Sequence, residues 1–174
     1  MDLVTLLNIN KIIIMKKINI IKSVILLFTL SIFISCDEGG DPDPGATAIA
    51  EIAGDWVVNI TRDGADYAHD HISTYNTSAN SITEMWLDDQ QHGWGLKAKV
   101  NLDLASKTFS GTDLEETYFD VTVTVTDGQI ITDGATAPSG TVTDSITFTA
   151  EFSDIPGEIW VYSGYRRTGF LEDE

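Results

Sequence analysis

The sequence predicts an all-β domain, an up-and-down antiparallel barrel of about eight strands, on three observations. Apolar and polar residues alternate with a period of two through most of the segment from Ile49 to Glu174, as they do where successive side chains of a strand face opposite sides of a sheet. The alternating runs number about eight, at spacings of roughly 8 to 15 residues that leave room only for short connections. No stretch of the segment carries a convincing helical period. Strands joined in sequence order make a meander, which closes into a barrel or folds into a sandwich; closure removes exposed edges and favours the barrel.

In chain order the N-terminus comes first. From Met15 the chain reads MKKINIIKSVILLFTLSIFISC, with lysines at 16, 17 and 22, an apolar run, and Ser35 before Cys36. A basic start, a hydrophobic middle and a small residue at the cleavage point are the layout of a secretory signal peptide. Residues 1–35 are therefore expected to be a signal peptide with its true start at Met15. Cys36 is the only cysteine, which excludes an internal disulfide. FISC resembles a lipobox and implies cleavage before Cys36 with acylation of its thiol and amine. Several acyl chains hold a protein stably, at about 0.8 kcal/mol per buried methylene.

Residues 36–48 begin with that cysteine and continue DEGGDPDPGATA, a flexible acidic linker without a large apolar residue. Without residues 1–35 the chain keeps six basic side chains, Arg62, Lys97, Lys99, Lys107, Arg166 and Arg167, against 26 acidic ones. That sign excludes nucleic acid as a partner. It also excludes attraction to an anionic membrane surface, so the lipid would have to do the anchoring.

Residues 49–174 are expected to be one barrel domain, long enough to bury roughly two-thirds of its unfolded surface. Its strands are read, in order, from DWVVNIT, YAHDHISTYN, SITEMWL, WGLKAKVNLDL, KTFSG, FDVTVTVTDGQII, TVTDSITFTAEF and EIWVYSGYRRTGF. In the fourth, Trp94, Leu96, Ala98, Val100, Leu102 and Leu104 share one face. In the sixth, Phe119, Val121, Val123 and Val125 do, and Asp127-Gly128 is expected to supply the positive backbone angles of a tight hairpin. In the seventh, Asp144 lies in phase with Ile146, Phe148, Ala150 and Phe152. In the last, Trp160, Tyr162, Gly164 and Arg166 alternate with Ile159, Val161, Ser163, Tyr165 and Arg167.

Gly54-Asp55-Trp56, opening the first strand, resembles the G-x-W of lipocalin-type barrels, in which the tryptophan crosses the closed end beneath an arginine of the last strand. YNTSANSITEMWLDD (75–89), KTFSG (107–111), SGTVTDSI (139–146) and SGYRRTGF (163–170) together resemble a family of Bacteroidota lipoproteins. That family is catalogued as lipid-binding putative hydrolases and has a lipocalin-like, calycin-type barrel. The resemblance implies binding of an apolar or amphipathic ligand; no catalytic residue is carried over from the hydrolase label. An isolated buried charge is prohibitive and a paired one is tolerated. Arg166 is thus expected to point inward over Trp56 and to meet Asp144, with Gly54 beside them, while Arg167 is solvated. The competing reading has both arginines merely offsetting surface acid.

Chemistry is sought first in YAHDHISTY, where Tyr67, His69, His71, Ser73 and Tyr75 share a face. Two histidines two residues apart on a strand can reach one metal, with His92 or Glu84 as a third ligand. His-x-His alone is weak, however, and Asp70 is out of phase, so neither a metal nor a cofactor is assigned. There is no G-x-S-x-G, and Ser73 with His71 lacks a positioned acid, so no catalytic residue is named. Tyr67, His69, His71, Tyr75, Trp86, Trp94 and Phe148 are expected to line a ligand cavity. Gly93, Gly95, Ala98 and Ala150 would leave room in it, although a barrel of this size is either just filled by side chains or holds one small ligand.

The function expected is that of a lipid-anchored envelope protein holding a small apolar or amphipathic ligand in the barrel. The alternatives are an accessory lipoprotein docking to envelope proteins or glycans through Trp86 or Trp160, and a hydrolase or metal enzyme on the His69/His71 strand. The expected location is the outer membrane, its side left open. Asp37 and Glu38 resemble surface-export signals.

Overall fold

The computed structural model describes residues 11, 14–22 and 45–174. Residues 14–22 are helical, and no helix among the described residues is long and apolar enough to cross a membrane. Cys36, the lipobox and most of the linker expected over 36–48 lie outside the described residues.

Residues 45–174 contain a closed barrel of eight antiparallel strands in sequence order. They are β1 (Gly54–Arg62), β2 (Ala65–Asn76), β3 (Glu84–Asp88), β4 (Lys97–Asp103), β5 (Thr108–Glu116), β6 (Val121–Thr136), β7 (Val142–Phe152) and β8 (Trp160–Arg166). β8 pairs with β1 to close the ring, with Trp56 opposite Arg166 and Ile60 opposite Tyr162. Closure leaves no open edge of the kind that recruits other chains.

Strand number and most inner faces follow the alternation read from the sequence, those of β2 and β3 excepted, and Asp127-Gly128 does not make a hairpin. β6 runs straight through it for 16 residues, and Asp127 keeps its positive φ of 55° in a bulge where the pairing with β7 shifts between Thr126 and Gln129. Asp133, at φ 52°, sits in a second bulge of the same strand. Left-handed backbone suits a tight turn and a bulge equally, and here β7 pairs on both sides of the dipeptide. The bulge also moves the inner face from Val123 and Val125 to Ile130. The Asp-Gly pair that does turn a hairpin is Asp63-Gly64, between β1 and β2, with φ of 50° and 77°.

At one end, here termed the closed end, the chain enters through residues 45–53 and leaves after Arg166. A tight turn there, with the N–H groups of Ile52 and Ala53 donating to the Ile49 carbonyl, puts fully buried Ile49 and Ile52 across the barrel. The opposite loop end carries the Asp63-Gly64 turn and the connections 89–96, 117–120 and 153–159.

The interior is a packed core. Val58, Ile60, Ile72, Leu87, Val100, Val125 and Ala150 expose no surface, and Phe148 only 1%. Phe148 stacks on Tyr162 at 4.5 Å and touches Phe109 at 5.8 Å. A void large enough for water would give its walls accessible area, so none borders these residues. The room expected at Gly93 and Gly95 is also taken. A side chain at Gly93 would collide with the Tyr162 hydroxyl and the Asp89 carboxylate, and one at Gly95 with the Phe119 ring.

Candidate functional site

At the closed end, the Arg166 guanidinium lies 4.6 Å above the Trp56 ring. Its Nε donates to Asp144 at 3.1 Å, Nη1 to the Ala53 carbonyl at 2.6 Å and Nη2 to the Glu51 carbonyl at 2.8 Å. Below it the Trp56 indole N–H donates to Thr74 Oγ1, which donates to the Ile52 carbonyl. A Cβ on Gly54 would lie 2.5 Å from Arg166 Nη1, so the first position of the G-x-W must stay bare for the arginine to lie flat. Arg167 is 44% exposed and pairs with Glu174. A surface groove of about 440 Å³ runs past Gly54, Asp55 and both arginines, but each guanidinium already has its anion.

The loop end holds the aromatic groups. Trp160, fully buried at the start of β8, is met edge-on by Tyr67 at 4.7 Å and by Phe152 at 6.3 Å, and lies 5.9 Å from Trp94. Arg62 sits over its ring at 5.6 Å and is bonded to Glu158. Tyr67 reaches this cluster because it is the extra residue of a bulge between the Ile60–Ala68 and Thr61–Asp66 pairs. Trp94 rides on the β3–β4 connection, its indole N–H donating to Asp154.

That connection is organised by Asp89, which is fully buried. Its carboxylate accepts from the backbone N–H groups of Gln91, Gly93, Gly95 and Leu96 and from the Tyr162 hydroxyl, at 2.7 to 3.2 Å. Burial pushes the Asp89 carboxyl above its ordinary range, against the opposing pull of these donors. Burial, then the Asp89 charge, pushes the Tyr162 hydroxyl well up. Residues 89–96 thus form a plug pinned by one carboxylate. Asp89 was missed in the sequence, because four of its five partners are backbone N–H groups rather than side chains.

The residues expected to line one cavity are not brought together. Tyr67 and Trp94 reach the loop end, and Phe148 is in the core. His69, His71, Tyr75 and Trp86 lie on the outer wall, because β2 turns Ile72 and Thr74 inward and β3 turns Met85 and Leu87 inward. Nor do the histidines meet. His69 bonds Asn59, His71 pairs with Glu174 at 3.0 Å, and His92 sits 3.0 Å from Asp70 and 2.8 Å from the His71 carbonyl. Among the described residues no three metal-ligating side chains cluster. Ser73 donates to Asp55 and accepts from Gln90, so its hydroxyl is not paired with an imidazole.

The outer wall holds a cluster the sequence did not reveal. Lys97 pairs with Asp88 at 3.1 Å and lies over the rings of Tyr118 and Tyr75, whose hydroxyls both donate to Asp88. Burial alone would raise the Asp88 carboxyl; the donors from Tyr118, Gln90, Lys97 and Tyr75 bring it below its ordinary range. Trp86 stacks beside Tyr75 at 6.5 Å.

An eight-stranded antiparallel barrel with an indole–guanidinium seal at one end and apolar rings at the other defines a lipocalin-like protein. The profile of the family described as lipid-binding putative hydrolase matches residues 41–171. The chain belongs to that family. Comparison with curated proteins finds no match.

Proposed function

We propose that this protein is an envelope lipoprotein, attached through Cys36 to the outer membrane, that binds one amphipathic lipid at the loop end of its barrel and does no chemistry on it. Membership of a lipid-binding family supports the class of ligand. The observation that carries the position is the aromatic cluster around Trp160 at the barrel mouth, covered by Trp94 of the 89–96 plug together with Tyr67 and Arg62. With the interior packed, an acyl chain enters by displacing Gly93, Trp94 and Gly95 from between Tyr162, Trp160 and Phe119.

The magnitudes allow this. Displacing these three residues releases three hydrogen bonds to carboxylates, from the Gly93 and Gly95 N–H groups to Asp89 and from the Trp94 indole to Asp154; at about 1.5–3 kcal/mol each they cost less than a chain of about a dozen methylenes returns, at roughly 0.8 kcal/mol apiece. Titrating the full chain with a fatty acid brominated along its chain tests the reading: saturable quenching of tryptophan fluorescence is expected, lost in Trp94→Arg. Absence of saturable quenching by any single-chain lipid rejects it.

A second reading, docking of an envelope protein or glycan on the outer wall, is favoured by the half-exposed Tyr75–Trp86 pair. A partner retained by the wild-type chain and lost with Trp86→Ala would establish it.

A further inference from the structure

We infer that the lipid bound at the loop end carries a neutral, hydroxyl-bearing headgroup, as a monoacylglycerol does, and that Trp160 Nε1 and Glu158 Oε2 select it; this rests on the reading above. Trp160 is 0% exposed, yet its indole N–H is buried without a hydrogen-bond partner. Buried polar groups are nearly always bonded, and the other indole N–H groups described above follow the rule, Trp56 with Thr74 and Trp94 with Asp154. Two residues away, Glu158 gives one carboxylate oxygen to Arg62, and the other, Oε2, is likewise buried and unpaired.

One orphan is a donor and the other an acceptor, and both belong to residues that touch Arg62. A hydroxyl satisfies either kind of orphan, accepting from an indole or donating to a carboxylate, and a glycerol headgroup with two free hydroxyls can supply one to each. A carboxylate headgroup could take the indole N–H but would meet Glu158 with the same charge. The surrounding rim offers it no relief. Asp63 accepts the Ile159 N–H and Asp154 the Trp94 N–H, Asp66 is the second residue of β2, and Arg62 is already bound to Glu158. The sign of the rim disfavours an anionic ligand, as like charges in a partly desolvated site do.

The test compares 9,10-dibromostearoyl glycerol with 9,10-dibromostearic acid, which have the same quenching chain and different heads, on the full chain at pH 7.5. The glycerol ester is expected to bind at least tenfold more tightly. Trp160→Phe should erase that ratio by weakening the ester alone, and Glu158→Gln should narrow it by admitting the acid. Equal or tighter binding of the acid by the wild type overturns the headgroup inference and leaves the loop-end site standing. So does a ratio unchanged in both variants, in which case a buried water takes the indole N–H. Failure of both lipids to quench overturns the site and the inference together.

Discussion

Truncating Arg166 to alanine removes the three donors and the cation that hold the closed end. Asp144 loses its charged partner, the carbonyls of Glu51 and Ala53 lose their donors, and the Trp56 face loses its cover. A hydrogen bond to a charged group contributes about 1.5–3 kcal/mol, and a cation over an indole about 0.5–2 kcal/mol. These do not add in full, because the Arg166 side chain is 25% exposed and water can enter to solvate the freed oxygens. A net loss of about 3 kcal/mol is expected, or roughly 10 °C in Tm for a domain of this size. Urea denaturation of the full chain, followed by tryptophan fluorescence and near-UV circular dichroism, measures it, with Arg167→Ala as the neighbouring control. Arg167→Ala should leave the midpoint where it was. If the two alanine variants melt alike, the guanidinium does not hold the barrel end and the argument from its contacts fails.

The adjacent carboxylates of β3 and its loop predict opposite pH signatures. Asp89, raised in the fold, takes up a proton before the unfolded chain does, so it adds stability as pH falls from neutral toward 3.8 and loses that increment as pH rises through its folded value. Asp88, lowered, contributes above 3.8 and loses that contribution as pH falls through its folded value. Stability against pH for Asp89→Asn and Asp88→Asn, each subtracted from wild type, should therefore slope in opposite directions. Gly54→Ala should cost about 1–3 kcal/mol by pushing Arg166 off Trp56. Gly164→Ala should cost more, since its side chain would meet the Val57 backbone, which cannot swing aside; chemical denaturation ranks the two. Asp173→Ala should speed amide exchange at Ser139, whose N–H and hydroxyl both donate to that carboxylate.

Strand number, order and most inner faces were legible because a closed barrel makes each strand obey one rule, apolar toward the axis. The Trp56–Arg166–Asp144 cluster was legible for the same reason: each of the three lies in phase with the apolar face of its strand, where a charge needs a partner. Phase is lost where a bulge inserts a residue, and the sequence marks a bulge and a turn with the same Asp-Gly pair, as Asp63-Gly64 and Asp127-Gly128 show. On β2 both faces are mixed, so the aromatic set of Tyr67, His69, His71 and Tyr75 looked like the inner one. Isoleucine and threonine in fact face inward, and only the bulge brings Tyr67 to the mouth. The Asp89 plug was not legible, because its ligands are backbone N–H groups, which no side-chain pattern encodes.

An even number of strands joined only by hairpins returns the polypeptide to the pole where it began. The two ends of the barrel unit, residues 45–53 and the stretch after Arg166, therefore both lie beside the Trp56 seal, and the rim around Trp160 is made of connections alone. A tether, tag or fused domain joined directly at either end of residues 45–174 would load the sealed pole and leave the aromatic rim unobstructed. An immobilised preparation of this protein should accordingly present the same face to solution whichever end is attached.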